Sequence, residues 1–237
     1  MAAAKLIRLC LAAALLLPAA PARAQTSALN LDEARGVTAL MDKDRLMQRT
    51  AHACPADVYA TLVSPPERVI SPRDVADDYC AAFPGECYRL CAETRSPVHC
   101  FRLAQTFEAN ISVIKPRYKL ALFTFACATG GKGGCTNRGA GLRNGYYDDD
   151  PLRRLSRRGK QSCEFRTFRT SCGKDYPWGC AMLGQSHRMG EGTPRNAARA
   201  RRSCEKSCAL KPDFAACRFA KSDLETMLKE RGQRKKR

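Results

Sequence analysis

The sequence predicts an all-α protein: an α/α superhelix (solenoid) of helix-turn-helix units, each stapled by a disulfide inside the unit. Three observations predict it. Cysteine pairs recur at a nearly constant gap, helix-like stretches flank every pair, and no segment sustains the period-two alternation of a half-buried strand.

At the N terminus, Lys5 and Arg8 precede an apolar run from Leu9 to Leu17, then Pro18 and the small-residue end Ala22-Arg23-Ala24. This is the layout of a secretory signal peptide over residues 1–24, and the nine-residue run is well short of the ~20 residues that span a bilayer. Cys10 lies inside the apolar run rather than beside the cleavage site, which argues against a lipid anchor. Export to a periplasmic or extracellular space turns the remaining thirteen cysteines into a disulfide framework. Metal binding is not expected: no Cys-x-x-Cys occurs, and His52, His99 and His187 are scattered.

Residues 25–78 read as a helical cap and linker. Asn30 with Glu33 resembles a capping box that opens one amphipathic helix to about Thr50, with Leu31, Val37, Leu40, Met41 and Leu46 as its apolar side. Ser64-Pro65-Pro66 breaks the chain, and Ser71-Pro72 signals a helix start that carries to Cys80.

Residues 79–226 hold the repeat. The pairs are Cys91 with Cys100, Cys127 with Cys135, Cys172 with Cys180, and Cys208 with Cys217, and their first members step along the chain by 36, 45 and 36 residues. The long middle step coincides with Tyr146 to Arg158, an Asp- and Arg-rich stretch that reads as an insertion. Two antiparallel helices joined by a short loop bring the end of one beside the start of the next, within the ~5.5 Å between Cα atoms that a disulfide needs. Each bridge closes a short loop and contributes roughly 2–3 kcal/mol through the unfolded state, while stacking of neighbouring units supplies the rest. Ser96-Pro97 and Thr193-Pro194 repeat the helix-start signal. Cys80 with Cys87 suits a short N-terminal hairpin, Cys163 and Cys204 suit a link between the first helices of adjacent repeats, and Cys54 is then left over. Residues 227–237 end in a Lys/Arg cluster and read as a disordered basic tail.

The run Gly179-Cys180-Ala181-Met182-Leu183-Gly184, then Gly190-Glu191-Gly192-Thr193-Pro194, Ala200 and Glu205-Lys206-Ser207-Cys208 resembles the Sel-one-like repeats (SLR). It is closest in kind to the cysteine-rich branch typified by the Helicobacter cysteine-rich proteins. Gly184, with Gly139 and Ala104 at the equivalent position, offers a small side chain where two helices approach, and Gly190 and Gly192 suit a turn that needs positive φ. Arg138 stands where the pattern has leucine, Tyr147 where it has the second turn glycine, and Lys221 at the small-residue position of the last unit. The resemblance spans roughly residues 80–226 and implies a tetratricopeptide-like superhelix with a groove used for protein–protein contacts and scaffolding. It also implies, as the alternative, a β-lactam-binding or weakly β-lactam-hydrolysing protein of β-lactamase type.

Without Lys5, Arg8 and Arg23 the chain keeps 38 basic against 23 acidic residues, a net charge of +15, which favours anionic surfaces. The expected function is therefore a cell-envelope interaction or scaffold module. Its partner is another protein or an anionic envelope polymer, steered by Arg195, Arg199, Arg201 and Arg202 and by Arg153, Arg154, Arg157 and Arg158. Nucleic acid is not an expected partner in an exported protein, and the basic tail suits peripheral membrane contact. No cofactor is expected, and no catalytic residue is assigned. Three Ser-x-x-Lys strings exist (Ser112/Lys115, Ser171/Lys174, Ser203/Lys206), without the Ser-Asp-Asn and Lys-Thr-Gly partners of a penicillin-recognising serine site. Gly130 to Gly134 lacks the Ser or Thr after Lys132 that a phosphate loop needs and reads as a hairpin turn. Asp148-Asp149-Asp150 reads as a solvated loop, and His187 as a surface or packing residue.

Overall fold

The computed structural model describes residues 28–62, 78–145 and 147–234, with the side chains of 230–234 excepted. The expected signal peptide and the Ser71-Pro72 helix start lie outside these residues. Among the described residues every regular element is helical: α1 (Leu31–Lys43), α2 (Arg45–Ala51), α3 (Pro55–Val58), α4 (Tyr79–Ala82), α5 (Pro84–Ala92), α6 (Pro97–Ala109), α7 (Pro116–Ala128), α8 (Lys132–Asn144), α9 (Arg157–Gly173), α10 (Pro177–Met189), α11 (Ala197–Leu210) and α12 (Ala215–Arg234). From α5 onward each helix packs on the next.

Four helical hairpins follow in order, α5/α6, α7/α8, α9/α10 and α11/α12. Each is closed by its expected bridge: Cys91–Cys100, Cys127–Cys135, Cys172–Cys180 and Cys208–Cys217, with Cα atoms 4.4 to 4.7 Å apart. Cys80–Cys87 forms as well, joining α4 to α5. Proline at the first helical turn starts α5, α6, α7 and α10, where its missing N–H costs nothing. Ser96 precedes α6 as expected, but its hydroxyl bonds His99 Nδ1 at 2.7 Å rather than a backbone amide. The α8 and α10 helices end on Gly145 (φ 63°) and Gly190 (φ 79°) in the left-handed conformation that glycine adopts without strain.

Close approach between successive hairpins depends on the glycines four positions after Cys135 and Cys180. A methyl group on Gly184 would lie 2.5 Å from Cys204 Sγ and 3.2 Å from the Ala200 carbonyl oxygen, and one on Gly139 would lie 2.8 Å from the Phe168 ring. These two glycines therefore set the distances from α10 to α11 and from α8 to α9.

Several expectations change. The helix from Asn30 does not run to Thr50: Asp44 interrupts it because its carboxylate accepts from the amides of Leu46 and Met47, both at 2.9 Å, and starts α2 anew. Val37 and Met41 are buried as the apolar side requires, but Leu40 is 54% exposed. The helix after Thr193-Pro194 begins only at Ala197, because the Asn196 side chain caps it by accepting from the Arg199 amide at 2.9 Å. The last helix reaches Arg234, into the stretch expected to be a disordered tail.

The insertion is not simply solvated. Asp150 is buried and holds the guanidinium of Arg138 through both oxygens, with Arg138 Nε donating to Thr124 Oγ1 at 3.2 Å. Arg138 is itself fully buried. An ion there requires a buried counter-ion, and the loop between α8 and α9 delivers it.

The cysteine assignment outside the hairpins is also corrected. Cys54 pairs with Cys163, 109 residues away, and Cys204 is the free thiol, buried against Gly184. Cys204 therefore fills the α10–α11 contact, while Cys163 occupies a different face of its own helix, the one that meets the N-terminal segment.

Candidate binding face

The first helices of the hairpins are α5, α7, α9 and α11. Over the first three the face is occupied by the chain itself: α1 packs on α5, α2 on α7, and α3 on α7 and α9. Ala34, Val37, Met41, Met47 and Ala51 share one apolar core with Cys87, Tyr88, Leu122 and Phe125. Burial of this kind stabilises by ~25 cal/mol per Å² of apolar surface removed from water, so the segment is part of the folded unit.

Backbone amides of Ala60 and Leu62 donate to the Cys127 and Ala128 carbonyl oxygens, and carboxylates make the side-chain contacts between the segment and the first helices. Glu33 Oε1 accepts from the Gly85 amide at 2.9 Å, and Asp44 Oδ2 accepts from Tyr88 Oη at 3.1 Å. Asp42 receives Tyr118 Oη at 2.8 Å and Arg117 Nη2 at 2.9 Å, and Asp57 receives Arg166 Nη2 at 3.2 Å. The Arg117 guanidinium is held above its ordinary pKa chiefly by its hydrogen bond with Tyr118, against the opposing effect of burial. The sequence marks Glu33 only as a cap and the others not at all, because no single-helix pattern marks a segment that acts as a ligand to other helices.

The basic residues expected to steer a partner separate into two sets. The turn that leads into α11 packs Gly192 against the Gln161 carbonyl in the N-terminal half of α9. Arg157 and Arg158 lie one turn before Gln161, Arg195 lies three residues after Gly192, and Arg199 and Arg202 follow on α11; all five are exposed. Among the described residues Arg154, Arg157, Arg158, Arg199 and Arg202 have no carboxylate partner. By contrast Arg153 donates to the Asp148 carbonyl oxygen, Arg195 to the Met189 carbonyl oxygen, and Arg201 lies 4.0 Å from Glu205. His187 is 6% exposed and meets Phe165 edge-on at 5.4 Å between ring centres, a packing role. Burial first, and then Arg199 and Arg202, hold its imidazole below the ordinary pKa, so it adds no positive charge near neutrality.

The Ser-x-x-Lys strings supply no paired nucleophile and base. Ser171 is buried and bonds Thr136 Oγ1 (2.8 Å) and the Lys132 carbonyl oxygen (3.1 Å), while Lys174 lies 5.9 Å above the Tyr59 ring. Lys206 bonds the Cys172 carbonyl oxygen and Asp175 rather than Ser203, and Ser112 lies in the turn after α6. A cavity of about 120 Å³ between α6, α7 and α8 holds Lys119, Glu108, Asn137, Asn144 and Tyr147. Its lysine is a satisfied ammonium: burial works against the charge, but Tyr147 Oη at 2.8 Å and Glu108 Oε1 at 2.9 Å outweigh it and raise the pKa. Among the described residues no three His, Cys, Asp or Glu side chains are grouped as metal ligands, and no helix is long and apolar enough to cross a membrane.

Comparison with protein-family models, with curated proteins and with solved structures finds no match.

Proposed function

We propose that this chain is an exported, disulfide-stapled helical-repeat module that binds an anionic partner in the cell envelope. One observation carries the reading: the first-helix face is covered by α1 to α3 over three hairpins, with carboxylates on its donors, whereas the N-terminal regions of α9 and α11 expose arginines with no carboxylate partner among the described residues. A folded protein lowers its self-repulsion by distributing charge of both signs, so a one-signed cluster favours an anionic ligand. Six disulfides among the described residues favour an oxidising compartment. The disulfide framework supplies rigidity, and a preorganised face loses less entropy on binding.

The test is a titration of the oxidised protein with three anionic probes: poly-glutamate, phosphatidylglycerol vesicles and isolated cell-wall polymer. Saturable binding to at least one, weakened by salt and by the R154E/R157E/R158E/R199E/R202E variant, is the expected result. Absence of saturable binding to all three at low ionic strength refutes the reading.

A further inference from the structure

The four first helices can be superposed in register by counting back from the first cysteine of each hairpin. Nine positions before it stand Tyr118 in α7, Cys163 in α9 and Arg199 in α11. Six positions before it stand Gly85 in α5, Arg166 in α9 and Arg202 in α11. In the first three hairpins four of these six positions hold the N-terminal segment, Gly85 by Glu33, Tyr118 by Asp42, Cys163 by Cys54 and Arg166 by Asp57, while the other two are Ala121 in α7 and Ala82 before α5. In α11 the same two positions carry arginines, and both are exposed.

This correspondence has a simple geometric cause. Residues three apart on a helix share a face, and the hairpin bridges place each first helix in the same setting relative to its own second helix. The face that meets the segment on α7 and α9 is therefore repeated on α11. Arg202 takes the place of Arg166, whose partner is a carboxylate, and Arg199 takes the place of Tyr118, whose partner is also a carboxylate. Neither arginine has a carboxylate partner among the described residues, and both impose their positive field on the buried His187 ring.

We propose that the α11 face at Arg199 and Arg202 is a docking site for an aspartate- or glutamate-bearing segment of a partner protein, held as α1 to α3 are held on α5, α7 and α9. The chain's own residues 30–62 show the chemistry of the ligand: a helical or extended stretch whose carboxylates meet hydroxyl and guanidinium donors one hairpin apart. A guanidinium gives such a carboxylate a directional, charge-assisted contact, and an added segment would extend along the row of hairpins the surface that α3 ends on α9. The inference rests on the binding-module reading and narrows it to one ligand class and two residues.

A displayed library of random 12-residue peptides, panned against the oxidised full-length protein after removal of the leader, tests it. Enriched peptides are synthesised with a fluorophore and titrated by anisotropy against the wild type, R199E/R202E, R199Q/R202Q and R154E/R157E/R158E. Both α11 substitutions lie at exposed positions, and an unchanged disulfide map confirms that the variants fold. The expected result is enrichment of acidic peptides whose affinity falls about tenfold or more in R199E/R202E, less in R199Q/R202Q, and comparably when the peptide's acids become amides. Acidic peptides that bind R199E/R202E normally but lose R154E/R157E/R158E refute the α11 site and leave the anionic module standing. Enrichment of acid-free peptides, or no enrichment while phosphatidylglycerol vesicles bind, also overturns the site. No binding to peptide, poly-glutamate, vesicle or wall polymer defeats both readings together.

Discussion

Replacing Asp150 with alanine should cost about 3–5 kcal/mol, the usual loss when one member of a buried ion pair is removed. The structure puts this pair at the costly end. Arg138 has 0% of its surface exposed, Asp150 has 8%, and the guanidinium's other bond is the single contact to Thr124 Oγ1. Removing the carboxylate leaves a cation with no water to solvate it, and also removes the acceptor of the Leu152 amide, bonded to Asp150 Oδ1 at 2.7 Å. For a chain of this size a loss of that magnitude lowers Tm by roughly 6–20 °C. Arg138→Leu alone should also destabilise, since it strands the carboxylate in turn. The double variant Arg138→Leu/Asp150→Ala should recover most of the loss, because an apolar pair has nothing to desolvate. Thermal and guanidinium unfolding of the four proteins, disulfides intact, measures the coupling. A single-variant loss below about 1 kcal/mol, or a double variant that loses the sum of the two singles, would refute the account of why an arginine is tolerated there.

Three further outcomes follow from other contacts. Gly184→Ala forces a methyl into Cys204 Sγ and should cost about 1–3 kcal/mol; adding Cys204→Ala should relieve most of it, and equal losses in the single and double variants would count against the packing. Under non-reducing conditions, peptide mapping should recover Cys54 joined to Cys163, and Cys204 should react with iodoacetamide only after denaturation, since burial pushes its thiol up to about 12; rapid native labelling of Cys204 would contradict the fold. Burial raises the Glu164 carboxyl to about 7, with Arg143 opposing, Glu191 adding and Lys160 opposing. Because the folded pKa lies above the unfolded one, this group's stabilisation is complete below the unfolded value and is lost as pH rises through about 7, and Glu164→Gln should flatten that part of the stability curve. An unchanged curve would rule the group out as its source.

Arg138 lies on α8 and Asp150 on the loop that leads to α9. A buried arginine at position 138 is explained by Asp150, and the insertion that lengthens the middle step is the element that carries the counter-ion.

The amino-acid sequence by itself determined the local architecture. Cysteines eight or nine residues apart across a Gly- or Pro-containing loop can meet only by folding one helix back on the other, so four bridges and their helix starts follow from spacing and backbone chemistry. Tertiary structure alone decided the rest. Cys163 sits in a helix with access to several distant partners, and only the packing of α1 to α3 across the first helices selects Cys54 over Cys204. The same packing fills the first-helix face over three hairpins and leaves Arg199 and Arg202 exposed on the fourth. A contact between residues about 100 apart has no periodicity to announce it, because its energy comes from burial against surfaces that exist only once the hairpins have formed.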